Sequence, residues 1–174
     1  STYLFESAEE AARAFETETQ PIYTRWGNPT IQVMERKVAA LEGGEAAVAT
    51  ASGMAAVSAA LLSVVAQGDH IIATTGLYSG TYHLLMEDFP RYGIETTLVD
   101  ATRPAAFEAA LRPNTRVLYL ESPGNPTLAL NDIAALAALG QEHNLITMID
   151  NTFATPYNQQ PLQMGIAVVI HSAT

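Results

Sequence analysis

Short runs of β-branched and aliphatic residues recur along this chain, and longer runs with helical spacing separate them. Ala46–Ala51, His70–Thr74, Ile94–Val99, Val117–Leu120, Leu145–Ile149 and Ile166–Ile170 read as buried strands. Met54–Ala66, Tyr82–Arg91, Pro104–Leu111 and Asp132–His143 read as the helices between them, the third opened by a proline near its first turn. Earlier in the chain, Ser7 followed by Glu10 fits a capping box for a helix over Ala8–Phe15. Thr30 reads as the cap of a helix carrying Ile31, Met34, Val38 and Leu41 on one face, ended by Gly43-Gly44. Ser1–Phe5 reads as an extended arm, and Thr17–Pro29 as an irregular stretch rich in polar and aromatic groups, punctuated by Pro21 and Pro29. Strand and helix in alternation over more than half the chain mean an α/β fold with a largely parallel sheet. The boundary falls after Gly44, with an arm and first helices over 1–44 and the alternating domain over 45–174.

Composition narrows the class. A length of 174 residues suits a single α/β core, and 48% apolar residues exclude a disordered chain. No apolar run approaches the roughly 20 residues that span a bilayer. The net charge of −10 argues against nucleic acid and anionic membranes as partners. A small anion is a different matter, because helix N-termini and one or two arginines bind phosphate locally. With no cysteine, disulfides, thiolate metal sites and thiol nucleophiles are excluded from this segment. The start carries no signal-peptide pattern, so a cytoplasmic protein is the expectation. The four histidines show no metal-ligand spacing, and no metal site is expected.

Four motifs stand at strand ends, where open α/β sheets bind ligands. Thr50-Ala51-Ser52-Gly53-Met54 is a strand-to-helix junction whose serine, glycine and free amides suit an anion, although Ser52 alone would also serve as a plain helix cap. It is no Walker A loop, and no G-x-G-x-x-G occurs anywhere. Asp150 ends an apolar run; it either hydrogen-bonds the following Asn151-Thr152 turn or faces a cationic ring nitrogen. In Glu121-Ser122-Pro123-Gly124-Asn125-Pro126-Thr127 the two prolines fix a loop that presents the Asn125 amide, or simply make a turn. Tyr78, in Tyr78-Ser79-Gly80-Thr81, is placed to stack on a flat ligand or to cover the core.

Each motif alone is weak, but their order is specific. Tyr23-Thr24-Arg25, Asn28-Pro29-Thr30, Ala51-Ser52-Gly53-Met54, Leu77 to Thr81, Glu121 to Pro126, Ile149 to Phe153 and His171-Ser172-Ala173-Thr174 follow one another. The series closely resembles the transsulfuration (Cys/Met metabolism) family of pyridoxal-phosphate enzymes, of fold type I, and the resemblance covers essentially the whole chain. It implies cofactor contacts from Ser52, Gly53 and Met54 to the phosphate, joined by the hydroxyls of Ser172 and Thr174. It implies that Tyr78 stacks on the pyridine ring and has a catalytic part, that Asp150 pairs with the ring nitrogen, and that Asn125 contacts the phenolic oxygen. Tyr23 and Arg25 would reach the phosphate of a neighbouring subunit, which makes 1–44 a subunit interface and a homodimer or homotetramer the expected assembly.

The implied activity is elimination or replacement at the γ- or β-carbon of a sulfur amino acid or an O-acylhomoserine, as by a lyase or transferase of cysteine and methionine metabolism. Many methionine γ-lyases carry cysteine where Gly80 stands here, which leans toward cystathionine γ-synthase, cystathionine γ-lyase or sulfhydrylase chemistry. In the family the Schiff-base lysine follows His-Ser-x-Thr at once; here the sequence ends at Thr174, and Lys37 is the only lysine. The expectation is a segment of a longer enzyme, inactive as a separate polypeptide. Two readings of other classes compete: a non-catalytic assembly or ligand-binding module of the same fold, and a dinucleotide oxidoreductase, which the missing glycine fingerprint disfavours.

Overall fold

The computed structural model describes residues 2–17, 20–100 and 102–174. Ser1 of the predicted arm and residues 18–19 of the Thr17–Pro29 stretch lie outside them. The chain falls into two compact units that divide between Ala49 and Thr50, a few residues beyond the boundary read from the sequence.

In the first unit, helix α1 (Ala8–Thr17) starts where the capping box places it. The Ser7 hydroxyl accepts the Glu10 N–H at 3.1 Å, while the Glu10 carboxylate reaches back to the Glu6 N–H at 2.7 Å, one residue before the expected partner. Helix α2 (Pro29–Glu42) is capped by Asn28 and not by Thr30: Asn28 Oδ1 accepts the N–H groups of Thr30 and Ile31. Proline explains the shift, since at the first helical position it has no N–H to satisfy and a φ already suited to the helix. Gly43 then closes the helix with φ +70°. The expected apolar face forms, but Ile31, Met34 and Leu41 are exposed in this chain and only Val38 is half-buried.

The segment read as a strand over Ala46–Ala51 forms no strand and pairs with none among the described residues. Its alanines give a neighbouring strand little to pack on, Val48 is 83% exposed, and the Ala49 N–H is donated to Glu35 Oε1 at 2.8 Å.

The second unit is a five-stranded sheet, every pairing parallel, in the order β2-β1-β3-β4-β5. Its strands are β1 (His70–Thr74), β2 (Glu95–Val99), β3 (Thr115–Glu121), β4 (Ile146–Asp150) and β5 (Val168–Ile170). Period-2 alternation divides the core between the two faces. Ile71, Ala73, Val117, Tyr119 and Met148 pack with Val57 and Leu61 of α3 (Gly53–Leu62) and with Leu85 and Phe89. Ile72, Leu118, Leu120 and Ile149 pack with Phe107 of α5 (Pro104–Ala109) and with Ile133, Leu136 and Ala137 of α6 (Ile133–Glu142). This is the α/β fold with a parallel sheet read from the alternation, and its helices cover both faces of the sheet.

The helix expected over Tyr82–Arg91 is a helical run of changing pitch: α4 (Ser79–His83), a π turn (Leu84–Asp88) and a 3-10 turn (Phe89–Tyr92). Pro90 accounts for this, because proline inside a helix has no N–H for the ladder and its ring crowds the carbonyl four residues earlier. The turn between β4 and β5 holds the short α7 (Thr155–Asn158) and a 3-10 turn at Pro161–Met164.

In a parallel sheet all carboxyl ends share one rim. Going outward from β1, the chain places β2 on one side and β3, β4 and β5 on the other, so the winding reverses between β1 and β3. Ligands settle in the crevice outside the carboxyl ends at such a reversal. The polar residues that follow β1, β3, β4 and β5 all emerge there.

Candidate functional site

The first wall of the site is the start of α3. Ser52 Oγ accepts the Ala55 N–H at 3.1 Å, so the plain capping role is real. The amides of Gly53 and Met54 have no hydrogen-bond partner among the described residues, as the first turn of a helix requires. The strand end beyond β5 closes on this turn: a Cβ on Gly53 would lie 2.8 Å from Ser172 Cβ and 2.9 Å from its Oγ. Only glycine admits that approach. The hydroxyls of Ser172 and Thr174 stand 2.8 Å apart on the same loop. Two amides, the positive end of a helix dipole and hydroxyl donors make a cradle for an oxyanion, with no cation needed.

The second wall follows β4. Asp150 Oδ1 accepts the Thr152 N–H at 3.0 Å, which is the turn-bonding role, and its Oδ2 carries no hydrogen bond among the described residues. Thr152 links the two walls, since its hydroxyl accepts the Ser172 N–H at 2.8 Å. Asn151, fully buried, donates its amide to the Gln159 carbonyl at 2.9 Å, and Gln159 Nε2 donates in turn to Asn151 Oδ1 and to the Ser122 carbonyl, each at 2.8 Å. That network braces the end of β4 against the end of β3.

The third wall comprises the loops after β1 and β3. Tyr78 is 45% exposed, so it does not serve as core cover. A Cβ on Gly80 would meet the Tyr78 ring at 2.6 Å and Met54 Sδ at 3.0 Å; glycine there lets the ring lie down beside the start of α3. Asn125 is partly exposed in the Pro-rich loop. Between them, at the end of β3, the buried Glu121 accepts the Tyr78 N–H at 2.7 Å. Burial first, then the neighbouring Asp150 charge, pushes its pKa up to about 7, against the pull of hydrogen bonds from the Tyr78 and Asn125 amides.

Ser52, Gly53, Met54, Tyr78, Asn125, Asp150, Ser172 and Thr174 therefore meet along one rim of one unit. Tyr23 and Arg25 belong to the other unit. There the Arg25 guanidinium lies 5.1 Å from the Tyr23 ring and 5.5 Å from the Trp26 ring, beside a cleft of about 360 Å³ that Phe5 and Phe15 also line. Sequence reading passed over Glu121, Thr152 and Gly80 as site residues. For Glu121 the signal was present, since it is an acid ending an apolar strand just as Asp150 is. Thr152 and Gly80 act through contacts that only the fold creates.

A pyridine ring bearing a phosphate, a phenolic oxygen and a protonated nitrogen fits this donor set. The oxyanion cradle suits the phosphate, the free Asp150 oxygen the nitrogen, and the Tyr78 face and Asn125 amide the ring between them.

Comparison with known proteins points the same way. The family model described as Cys/Met metabolism PLP-dependent enzyme matches residues 1–174. An L-methionine gamma-lyase of Fusobacterium nucleatum subsp. polymorphum is 48% identical over 176 residues, which is all of this chain and 45% of that protein. The crystal structure of cystathionine gamma-lyase from Lactobacillus plantarum, complexed with L-serine, superposes with a TM-score of 0.89 at 42% identity, over 98% of this chain and 42% of that one. An O-acetylhomoserine (thiol)-lyase from Campylobacter jejuni, with N'-pyridoxyl-lysine-5'-monophosphate, superposes with a TM-score of 0.89 at 34% identity, over 98% and 42%. The chain spans less than half the length of these relatives.

Proposed function

Since the chain belongs to the Cys/Met metabolism family of PLP-dependent enzymes, we propose that it is the cofactor-binding part of an enzyme acting on sulfur amino acids. The reaction is elimination or replacement at the γ- or β-carbon of such an amino acid or of an O-acylhomoserine, of the cystathionine γ-synthase or γ-lyase kind. Methionine γ-lyase or sulfhydrylase activity is the alternative within the same chemistry, and relatives bearing both kinds of name stand at similar identity. The observation that carries the reading is the pairing, on one rim, of an oxyanion cradle with a carboxylate that keeps one oxygen free.

Pyridoxal phosphate, when bound, supplies an electron sink that weakens bonds at the substrate's α-carbon. The chain's own residues hold and orient it. Gly53 and Met54 offer amides to the phosphate, with the hydroxyls of Ser52, Ser172 and Thr174 around them. Asp150 keeps a proton on the ring nitrogen, a charge-assisted bond that strengthens as the site excludes water. Tyr78 stacks on the ring face, and the Asn125 amide donates to the phenolic oxygen. Tyr78 also brings a phenol that would exchange a proton with the substrate amine or the leaving group.

Residues 1–44 supply the subunit interface in this reading. The exposed apolar face of α2 supports it, as do Tyr23 and Arg25, whose polar ends would complete a neighbouring site in a homodimer or homotetramer. No helix among the described residues is long and apolar enough to cross a membrane, and the acidic charge gives nucleic acid no footing. We take the enzyme to be cytoplasmic, and its substrate to be a small amino acid, since relatives in the family are named for such substrates.

The full-length protein tests this. A visible absorbance band that borohydride abolishes is the expected sign of the cofactor. Release of 2-oxobutyrate (γ-elimination) or pyruvate (β-elimination) from cystathionine, release of 2-oxobutyrate from methionine, and formation of a thioether amino acid from O-acylhomoserine supplied with a thiol then rank the reactions. Absence of the band and of all these products leaves a non-catalytic module of the same fold.

A further inference from the structure

Glu121 has no part in the assignments above, yet it touches both sides of the site. It ends β3 directly beside Asp150 in the parallel register. Its Oε2 accepts the Tyr78 N–H at 2.7 Å, and the Asn125 N–H faces the same carboxylate closely enough to lower its pKa. Those amides belong to the two residues assigned to the ring face and to the phenolic oxygen. The loops that carry them abut with no side chain between: a Cβ on Gly124 would lie 2.7 Å from the Gly76 carbonyl oxygen. One carboxylate thus fixes the spacing of two ring contacts.

A neutral acceptor would do for packing alone. Two adjacent carboxylates at the end of neighbouring strands repel, and neither has an ion-pair partner among the described residues. The titratable groups acting on Glu121 are Asp150 on β4 and Tyr119 on its own strand, with the Tyr78 and Asn125 amides from the flanking loops. None of these brings a positive charge. An arrangement of this kind is completed by a cation arriving from outside.

Resting on the cofactor reading above, we propose that Glu121 is a positioning residue. Its ionised carboxylate clips the Tyr78 and Asn125 loops together at the spacing of the cofactor ring, and with Asp150 it forms the paired negative charge that draws in the protonated ring nitrogen. Burial keeps this carboxylate close to its titration point near neutrality, so its state is readable by pH.

The test uses full-length holoenzyme and the variants Glu121→Gln and Glu121→Ala. Cofactor dissociation constants and the visible circular dichroism of the bound cofactor are followed through the pH range around 7, with thermal midpoints as a check on folding. Wild-type affinity is expected to strengthen as pH rises through about 7. Glu121→Gln, which keeps the shape and one acceptor oxygen, is expected to fold normally, lose that pH dependence and bind about tenfold more weakly; Glu121→Ala should be weaker again with an altered dichroic band. Affinity within twofold of wild type, a superimposable dichroic band and an unchanged pH profile in Glu121→Gln overturn the clip alone. A wild-type protein with no borohydride-sensitive band overturns the cofactor reading and the clip with it.

Discussion

At the scale of single residues, the site turns on two acids with different tasks. Asp150 keeps one oxygen free, and on the proposed pairing with the ring nitrogen Asp150→Asn replaces a charge-assisted bond by a neutral one. Such bonds contribute about 1.5–3 kcal/mol, so cofactor affinity should fall roughly ten- to a hundredfold, measured by equilibrium dialysis of the full-length protein. Glu121 leaves its mark on the cofactor-free protein. Its folded-state pKa lies above the ordinary carboxylate value, so the folded state holds the proton more tightly and stability is lost as pH rises toward about 7. His70 works the other way. Buried between the hydroxyls of Thr115 and Thr97, it has its pKa lowered by burial and then by Arg112, so its share of stability is lost as pH falls below the usual histidine range. The two slopes overlap, and only a difference separates them. Thermal midpoints of cofactor-free wild type and Glu121→Gln should lie together near pH 4.5, separate as pH rises toward about 7 and stay apart by a constant gap above it, with the glutamine variant the more stable. Parallel curves would show that Glu121 carries no such burden. Both acids were visible in the sequence by the same sign, a charge closing an apolar run. Only the register placed them side by side, and periodicity says nothing of register.

Elements decide how closely those residues can meet. Helix α3 approaches the loop after β5 over Gly53, and Gly53→Ala must push Ser172 away. The expected result is a folded protein whose cofactor affinity falls at least tenfold, with a thermal midpoint close to wild type; equal affinity would show that the cradle tolerates a wider gap. Gly140 of α6 is the structural counterpart. A methyl group there would overlap Thr147 Cγ2 of β4, far from the rim, so Gly140→Ala should cost about 1–3 kcal/mol in urea unfolding and leave affinity for the cofactor almost unchanged. Element types were legible because α and β periods differ, and each strand kept its place except Ala46–Ala51. That segment was read from its apolar letters, but a strand is made by a neighbour, and neighbours are not written in local sequence. The π turn before Pro90 escaped for a similar reason: the proline announces trouble in the ladder, not how the backbone will absorb it.

For the whole molecule, the proposed assembly makes a prediction that no single subunit can satisfy. If Arg25 serves a neighbouring site, Arg25→Ala and Asp150→Asn damage different subunits' contributions to one centre. Mixing the two inactive full-length variants should regenerate intact sites in hybrid dimers, restoring roughly a quarter of wild-type activity on random exchange. No recovery would place both residues in the same subunit's site. The α/β class and the largely parallel sheet were foreseen from alternation, and the site's place at the carboxyl rim followed from the sheet being parallel. A parallel sheet also has an opposite rim, where strands begin, and β4 begins after the exposed residues His143 and Asn144. The five residues of β4 run from that turn to Asp150, about 16 Å of backbone. These 174 residues contain no cysteine, so His143→Cys would place the one thiol of this segment at that turn. A dye attached there should leave cofactor affinity within twofold. The polarity of the sheet thus supplies a second surface, silent in the chemistry, on which the protein can be labelled, tethered or watched.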